Sequence, residues 1–137
     1  MAQLYFLSVI TLLLGGVLAA SDFLTERMTG FAVLSDLTER RKLMITIGVM
    51  TALVGIVKLF LRAPNDGVPV AGDLLPALAG IAVGFVLLVG QTRRPESVGD
   101  EIPPSQRHGI IQYRNPIGLA GVLVGLLHFL FPAAVIL

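Results

Sequence analysis

Three ionisable residues stand in otherwise apolar sequence: Lys58, Asp73 and His128. A charge taken into hydrocarbon costs at least about 2.5–3.5 kcal/mol at the bilayer centre, so a buried one is a functional hypothesis by default. Together the three make a shared polar site, with His128 as proton carrier or ligand contact, Lys58 as anion contact and Asp73 as counter-ion. Each also has a local explanation. Lys58 can snorkel to an interface, Asp73 can cap a helix, and His128 can make one interhelical hydrogen bond.

Lys58 and His128 are related by an echo in the chain. Residues 47–63 read IGVMTALVGIVKLFLRA and residues 117–133 read IGLAGVLVGLLHFLFPA. Gly48, Leu53, Val54, Gly55 and Ala63 recur 70 residues later as Gly118, Leu123, Val124, Gly125 and Ala133, and Lys58 falls on His128. Gly16 matches Gly84 more loosely, at an offset of 68. Two readings stand: a tandem two-helix repeat, parallel and related by an axis along the membrane normal, or chance similarity between segments rich in Gly, Leu and Val.

The elements that carry these residues follow from composition. Of 137 residues, 55% are hydrophobic and 14% charged, against roughly 25% charged in soluble domains. The apolar residues fall into four blocks of the roughly 20 residues needed to cross a bilayer. The expected fold is all-α: one polytopic membrane domain over 1–137, an antiparallel bundle of four transmembrane helices. The spans are placed at about 3–20, 43–61, 73–90 and 116–136, with loops 21–42 and 91–115 between them. Val17, Leu18 and Ala19 resemble a signal-peptidase site, but no Lys or Arg precedes the block, so it is read as a retained span.

Small residues set the packing faces. Gly48 and Gly55 line the second span, Gly80 and Gly84 the third, and Gly118, Gly121 and Gly125 the fourth, each allowing another helix to approach closely. In the connections, Gly30 ends the first helix and Asp36 with Glu39 has capping-box spacing for the second. Pro64, Asn65, Asp66, Gly67 and Pro69 make a tight turn. Asp73 with Pro76, and Asn115 with Pro116, open the third and fourth helices. Residues 108–113 are read as a membrane-surface segment or a brief strand.

Eight of the ten basic residues (Arg27, Arg40, Arg41, Lys42, Arg93, Arg94, Arg107 and Arg114) lie in the first and third connections. The positive-inside rule makes these loops cytoplasmic and puts both termini outside, in a bacterial-type plasma (inner) membrane.

Zero cysteines exclude disulfides and thiolate chemistry. There is no HExxH, GxSxG or phosphate loop, so no catalytic residue, metal or cofactor is assigned. A net charge of +1 without a basic aromatic patch gives no sign of nucleic acid. The leading expectation is a small non-enzymatic membrane protein, a subunit of a larger complex or a homo-oligomer, whose partners are the lipid bilayer and other subunits or itself. The alternative is a small transporter or channel component with its polar site near Lys58, Asp73 and His128. An enzyme acting on lipid or quinone ranks third.

Overall fold

The computed structural model describes residues 2–60, 70–92 and 110–131. They are helical, with no strand among them. In chain order they form α1 (Ala2–Ala19), α2 (Ser21–Arg27), a 3₁₀ turn (Thr29–Phe31), α3 (Val33–Glu39), α4 (Arg41–Phe60), α5 (Val70–Thr92), a second 3₁₀ turn (Ile110–Tyr113) and α6 (Arg114–Leu130).

Four long helices make the bundle. Each of α1 and α5 packs against α4 and α6, and they also touch each other. They therefore form the short diagonal, while α4 and α6 take the far corners and share no backbone contact among the described residues. The α4–α5 and α1–α6 pairs run antiparallel, as their glycine contacts show. A Cβ placed on Gly84 of α5 would lie 2.6 Å from the Ala52 nitrogen and the Gly48 carbonyl oxygen of α4. One on Gly118 of α6 would lie 2.5 Å from the Ala20 nitrogen and 2.7 Å from the Gly16 carbonyl oxygen. Backbones this close gain dispersion contact that a side chain would forbid. Gly48, Gly55, Gly80, Gly84, Gly118, Gly121 and Gly125 are all buried inside the chain. The core between these seams holds Leu12, Leu18, Ala19, Met44, Val83 and Leu87.

The large apolar side chains point the other way. Phe6, Ile10 and Leu14 on α1, Met50, Leu53 and Phe60 on α4, Leu78 and Phe85 on α5, and Leu123 and Leu130 on α6 are exposed. Two helices are long and apolar enough to cross a membrane: α4, and α5 over Leu74–Gln91. A third qualifies if α1 and α2, bent by 65° at their junction, count as one span. α6 is apolar but has only 17 described residues, so four spans are not established by length. The remainder of the fourth expected span, 132–136, lies outside the described residues.

Several local expectations are corrected. The first connection, expected as a loop over 21–42, is helical for much of its length, and α1 breaks at Ala20 before it. The Gly118 backbone presses on Ala20 there, and the chain turns away into α2. Gly30 ends no α-helix; α2 stops at Arg27 and Gly30 sits in the 3₁₀ turn. Asp36 is no cap either. It lies inside α3, whose N-cap position is Ala32, without a side-chain bond. Likewise Asp73 is internal to α5, which runs from Val70, and Pro76 is inside the helix rather than in its first turn. At the other end α5 continues past Gly90, so Gln91 is a buried helical residue and not loop. Residues 110–113 form a 3₁₀ turn instead of a strand. α6 begins at Arg114, one residue before the expected Asn115 cap. Pro116 still falls in the first turn, where its missing N–H has no intrahelical partner to lose. The Asn65-Asp66-Gly67 turn, His108 and Pro132 lie outside the described residues.

Candidate functional site

The site sits where α1 begins and α4 and α6 end. On α4, Thr51, Gly55 and Lys58 follow one another at spacings of four and three, so they share one face. Thr51 and Gly55 are buried, which aims Lys58 along the inner side of the bundle rather than along the exposed face of α4. On α6, Gly121, Gly125 and His128 repeat that spacing, and all three are buried. The close Gly16–Gly118 seam holds α1 against α6 and brings Tyr5 beside His128.

Lys58 Nζ lies 3.2 Å from His128 Nε2. This contact joins the two corner helices, whose backbones do not meet among the described residues. Which nitrogen of the pair donates follows the histidine tautomer: Nε2 accepts from Nζ when the imidazole proton is on Nδ1. Tyr5 fills the wedge between them. Its hydroxyl donates to the carbonyl oxygen of His128 at 2.5 Å, and the Phe129 carbonyl oxygen is 3.5 Å away. These carbonyls belong to the last turn of α6. The Tyr5 and His128 ring centroids are 4.8 Å apart at a tilt of 49°. Lys58 Nζ stands 5.9 Å from the Tyr5 ring centroid, within reach of the ring's negative face. His128 is 4% exposed, while Tyr5 and Lys58 are half-buried.

The electrostatics of the helices favour positive charge here. Lys58 and His128 both occupy the last turn of their helix, and a helix C-terminus carries roughly half a negative charge. Two such ends converge on the cluster. The arrangement can therefore hold a cation or a proton, and it can offer N–H donors to a polar solute.

Of the three residues that the sequence singles out, two are in contact. The third, Asp73, is part of α5, and its side chain lies outside the described residues. The seam that sets Gly84 on Gly48 and Gly80 near Gly55 carries Asp73 toward the level of Lys58. Tyr5 was not among the expected site residues. A signal for it exists: the offset of 68 that relates Gly16 to Gly84 also relates Tyr5 to Asp73. Among the described residues no group of three His, Asp or Glu is placed to hold a metal ion.

A second polar cluster lies at the opposite end. Arg114 Nη2 donates to the Leu18 carbonyl oxygen at 2.9 Å and to Ser21 Oγ at 3.1 Å, and Nη1 is 3.5 Å from Asp22 Oδ2. An unbroken helix would give the Leu18 carbonyl the N–H of residue 22. At the bend the guanidinium supplies a donor in its place, and its charge suits the C-terminus of α1. This cluster fixes the α1–α2 bend.

A protein-family model matches residues 1–128. The chain belongs to that family. The match takes in both polar clusters, from Tyr5 to His128, and all seven packing glycines. No curated protein and no solved structure matches the chain.

Proposed function

We propose that the protein is a four-span membrane protein built from two hairpin repeats, and that it handles an ion or small polar solute at the Tyr5–Lys58–His128 site, as a small transporter or channel component. The observation that carries this reading is the 3.2 Å contact between Lys58 and His128. Two polar groups at equivalent repeat positions are held together inside an apolar bundle, where holding them costs free energy.

The repeat reading draws support from the seams. An axis along the bundle that exchanges α1 with α5 and α4 with α6 turns the α4–α5 seam into the α6–α1 seam. It turns the Gly48–Gly84 contact into the Gly118–Gly16 contact, and Lys58 into His128. The membrane reading draws support from the inverted distribution of side-chain size. The packing glycines are inside, and many large aliphatic and aromatic groups, among them Phe6, Phe60, Phe85 and Leu130, are outside; contiguous exposed apolar surface marks an interaction or membrane-facing site. The shared side for the first and third connections draws support from Arg114, which bonds to Leu18 and Ser21 across that end. Cytoplasmic placement of that side and outward termini follow from its basic residues. Single cysteines at positions 65 and 97 test it in intact cells: reagent outside should label only the first.

The glycine faces were the main ground for expecting partner subunits, and they are buried within the chain. Association with other subunits would therefore use the large exposed side chains.

The function is tested in proteoliposomes loaded with pyranine or lucigenin under a valinomycin-set potassium potential. Proton or chloride flux above that of empty vesicles is expected, and its loss in a Lys58→Met, His128→Leu double variant. Folded protein that passes neither ion faster than empty vesicles, and does not speed the osmotic swelling of vesicles placed in iso-osmotic glycerol or urea, would refute the reading.

A further inference from the structure

We propose that the α2–α3 hairpin is an interfacial anchor. Its uncharged tip, from Met28 to Val33, dips into the cytoplasmic leaflet, and Arg27, Arg40 and Lys42 beside it take anionic lipid headgroups. The proposal rests on the membrane reading given above. It adds a lipid-binding surface in a connection that the sequence places in the cytoplasm.

Depth decides where the tip lies. α1 has 18 residues, about 27 Å of helix against a hydrocarbon core of about 30 Å. Its end at Ala19 therefore falls at the edge of the core. There the chain bends by 65°, and Arg114 holds the bend through the Leu18 carbonyl oxygen and Ser21. A straight continuation would carry Met28 roughly 13 Å beyond Ala19, into water. The seven residues of α2 are instead inclined at 65° to α1 and advance only about 4 Å along its direction. Tilting α1 by about 20° from the bilayer normal changes that advance to between about 1 and 7 Å. The headgroup layer on each side is about 5–7 Å thick, so α2 ends within it.

Side-chain chemistry fits that depth. The chain carries no charge from Met28 to Ser35. Met28 is 52% exposed and Val33 66%, while Leu34 and Leu37 of α3 pack against the core. The hairpin is thus tied down at its base and leaves its apolar tip outward. The acids keep to one stripe of each helix. Asp22 and Glu26 are four apart on α2, Asp36 and Glu39 three apart on α3, and all four are exposed. Asp22 already faces Arg114. Arg27 abuts the tip on one side, and Arg40 and Lys42 follow α3 on the other, all three exposed. Apolar groups flanked by cations suit a leaflet whose headgroups carry negative charge.

The chain contains no tryptophan, so a single introduced one reports its own surroundings. Val33→Trp is reconstituted in vesicles of phosphatidylcholine and phosphatidylglycerol, with brominated acyl chains on one lipid or the other and iodide on both sides. The expected result is blue-shifted emission, quenching by the brominated chains with little by iodide, and stronger quenching when phosphatidylglycerol carries the bromine. Changing Arg27, Arg40 and Lys42 to Gln should abolish that preference and leave the chain quenching in place. Met28→Trp gives the same reading from a second position if Val33→Trp does not fold. Red-shifted emission quenched by iodide overturns the proposal, and so does emission shielded from both quenchers, which would mean that protein covers the tip. Equal quenching by the two lipids overturns the assignment of anionic headgroups. Phe85→Trp, on the exposed side of α5, separates the anchor from the membrane reading. Quenching by brominated chains there but not at position 33 removes the anchor alone. No such quenching at either position removes the membrane reading itself.

Discussion

Two glycines in one helix should respond in opposite directions to the same substitution. Gly84 and Gly90 both lie in α5, so Gly→Ala gains roughly 0.8–1 kcal/mol of helix propensity at either. Their surroundings differ. A Cβ at Gly90 meets nothing within 4 Å among the described residues, whereas one at Gly84 meets Ala52 N and Gly48 O at 2.6 Å and Ala52 Cβ at 2.7 Å. That is about 0.8 Å short of the 3.4 Å at which ordinary contact begins. Two of the three atoms are backbone, so no rotamer change relieves the clash and α4 must move as a body. Overpacking of this kind costs about 1–3 kcal/mol. Gly90→Ala should therefore stabilise the bundle by up to about 1 kcal/mol, and Gly84→Ala should leave it about 1–3 kcal/mol less stable than Gly90→Ala. The assay is SDS titration in mixed micelles, read by energy transfer between dyes on cysteines replacing Phe60 and Leu130. If Gly84→Ala proves as stable as Gly90→Ala, the close α4–α5 seam is wrong.

Other perturbations separate the remaining contacts. Arg114→Ala should destabilise the bundle by about 1–3 kcal/mol, because a buried carbonyl loses its donor, and should raise proteolysis near the α1–α2 bend; Arg114→Lys should recover only part, since one ammonium cannot reproduce the forked contact. Gln91 is 2% exposed and its Oε1 has no protein partner among the described residues. Gln91→Met should be neutral or stabilising in the same titration, and a loss of more than about 1 kcal/mol would mean that the oxygen is bonded in the folded protein.

The helical class and the packing glycines were legible because both depend on local pattern. Apolar runs of span length and small residues at spacings of three and four dictate helices with flat faces, whatever packs on them. Pairing was legible only in part. The echo related Gly48 to Gly118, but which glycine each one meets depends on how the four helices close, and the α4–α5 and α1–α6 seams arise only then. Lys58 looked free to snorkel because a single helix does not show which side faces the bundle; the buried stripe through Thr51 and Gly55 decides it. Tyr5 carried no site signal of its own in the sequence, and its bond to the α6 terminus depends on the contact between Gly16 and Gly118, which are more than 100 residues apart. Helix boundaries were the least legible feature. Asp36, Asp73 and Asn115 all had capping chemistry, yet α3, α5 and α6 begin before them, at Val33, Val70 and Arg114. The bend at Ala20 left no mark in composition, since it comes from the α6 backbone and from Arg114.

The bridge between α4 and α6 is the centre of the account, and a double-mutant cycle measures it most directly. Lys58→Met, His128→Leu and the double variant are compared with the parent by SDS titration at pH 8. A coupling energy of about 0.6–2 kcal/mol, the range for interhelical hydrogen bonds in membranes, is the expected result. Effects that add to within about 0.3–0.5 kcal/mol would mean that Lys58 and His128 do not touch.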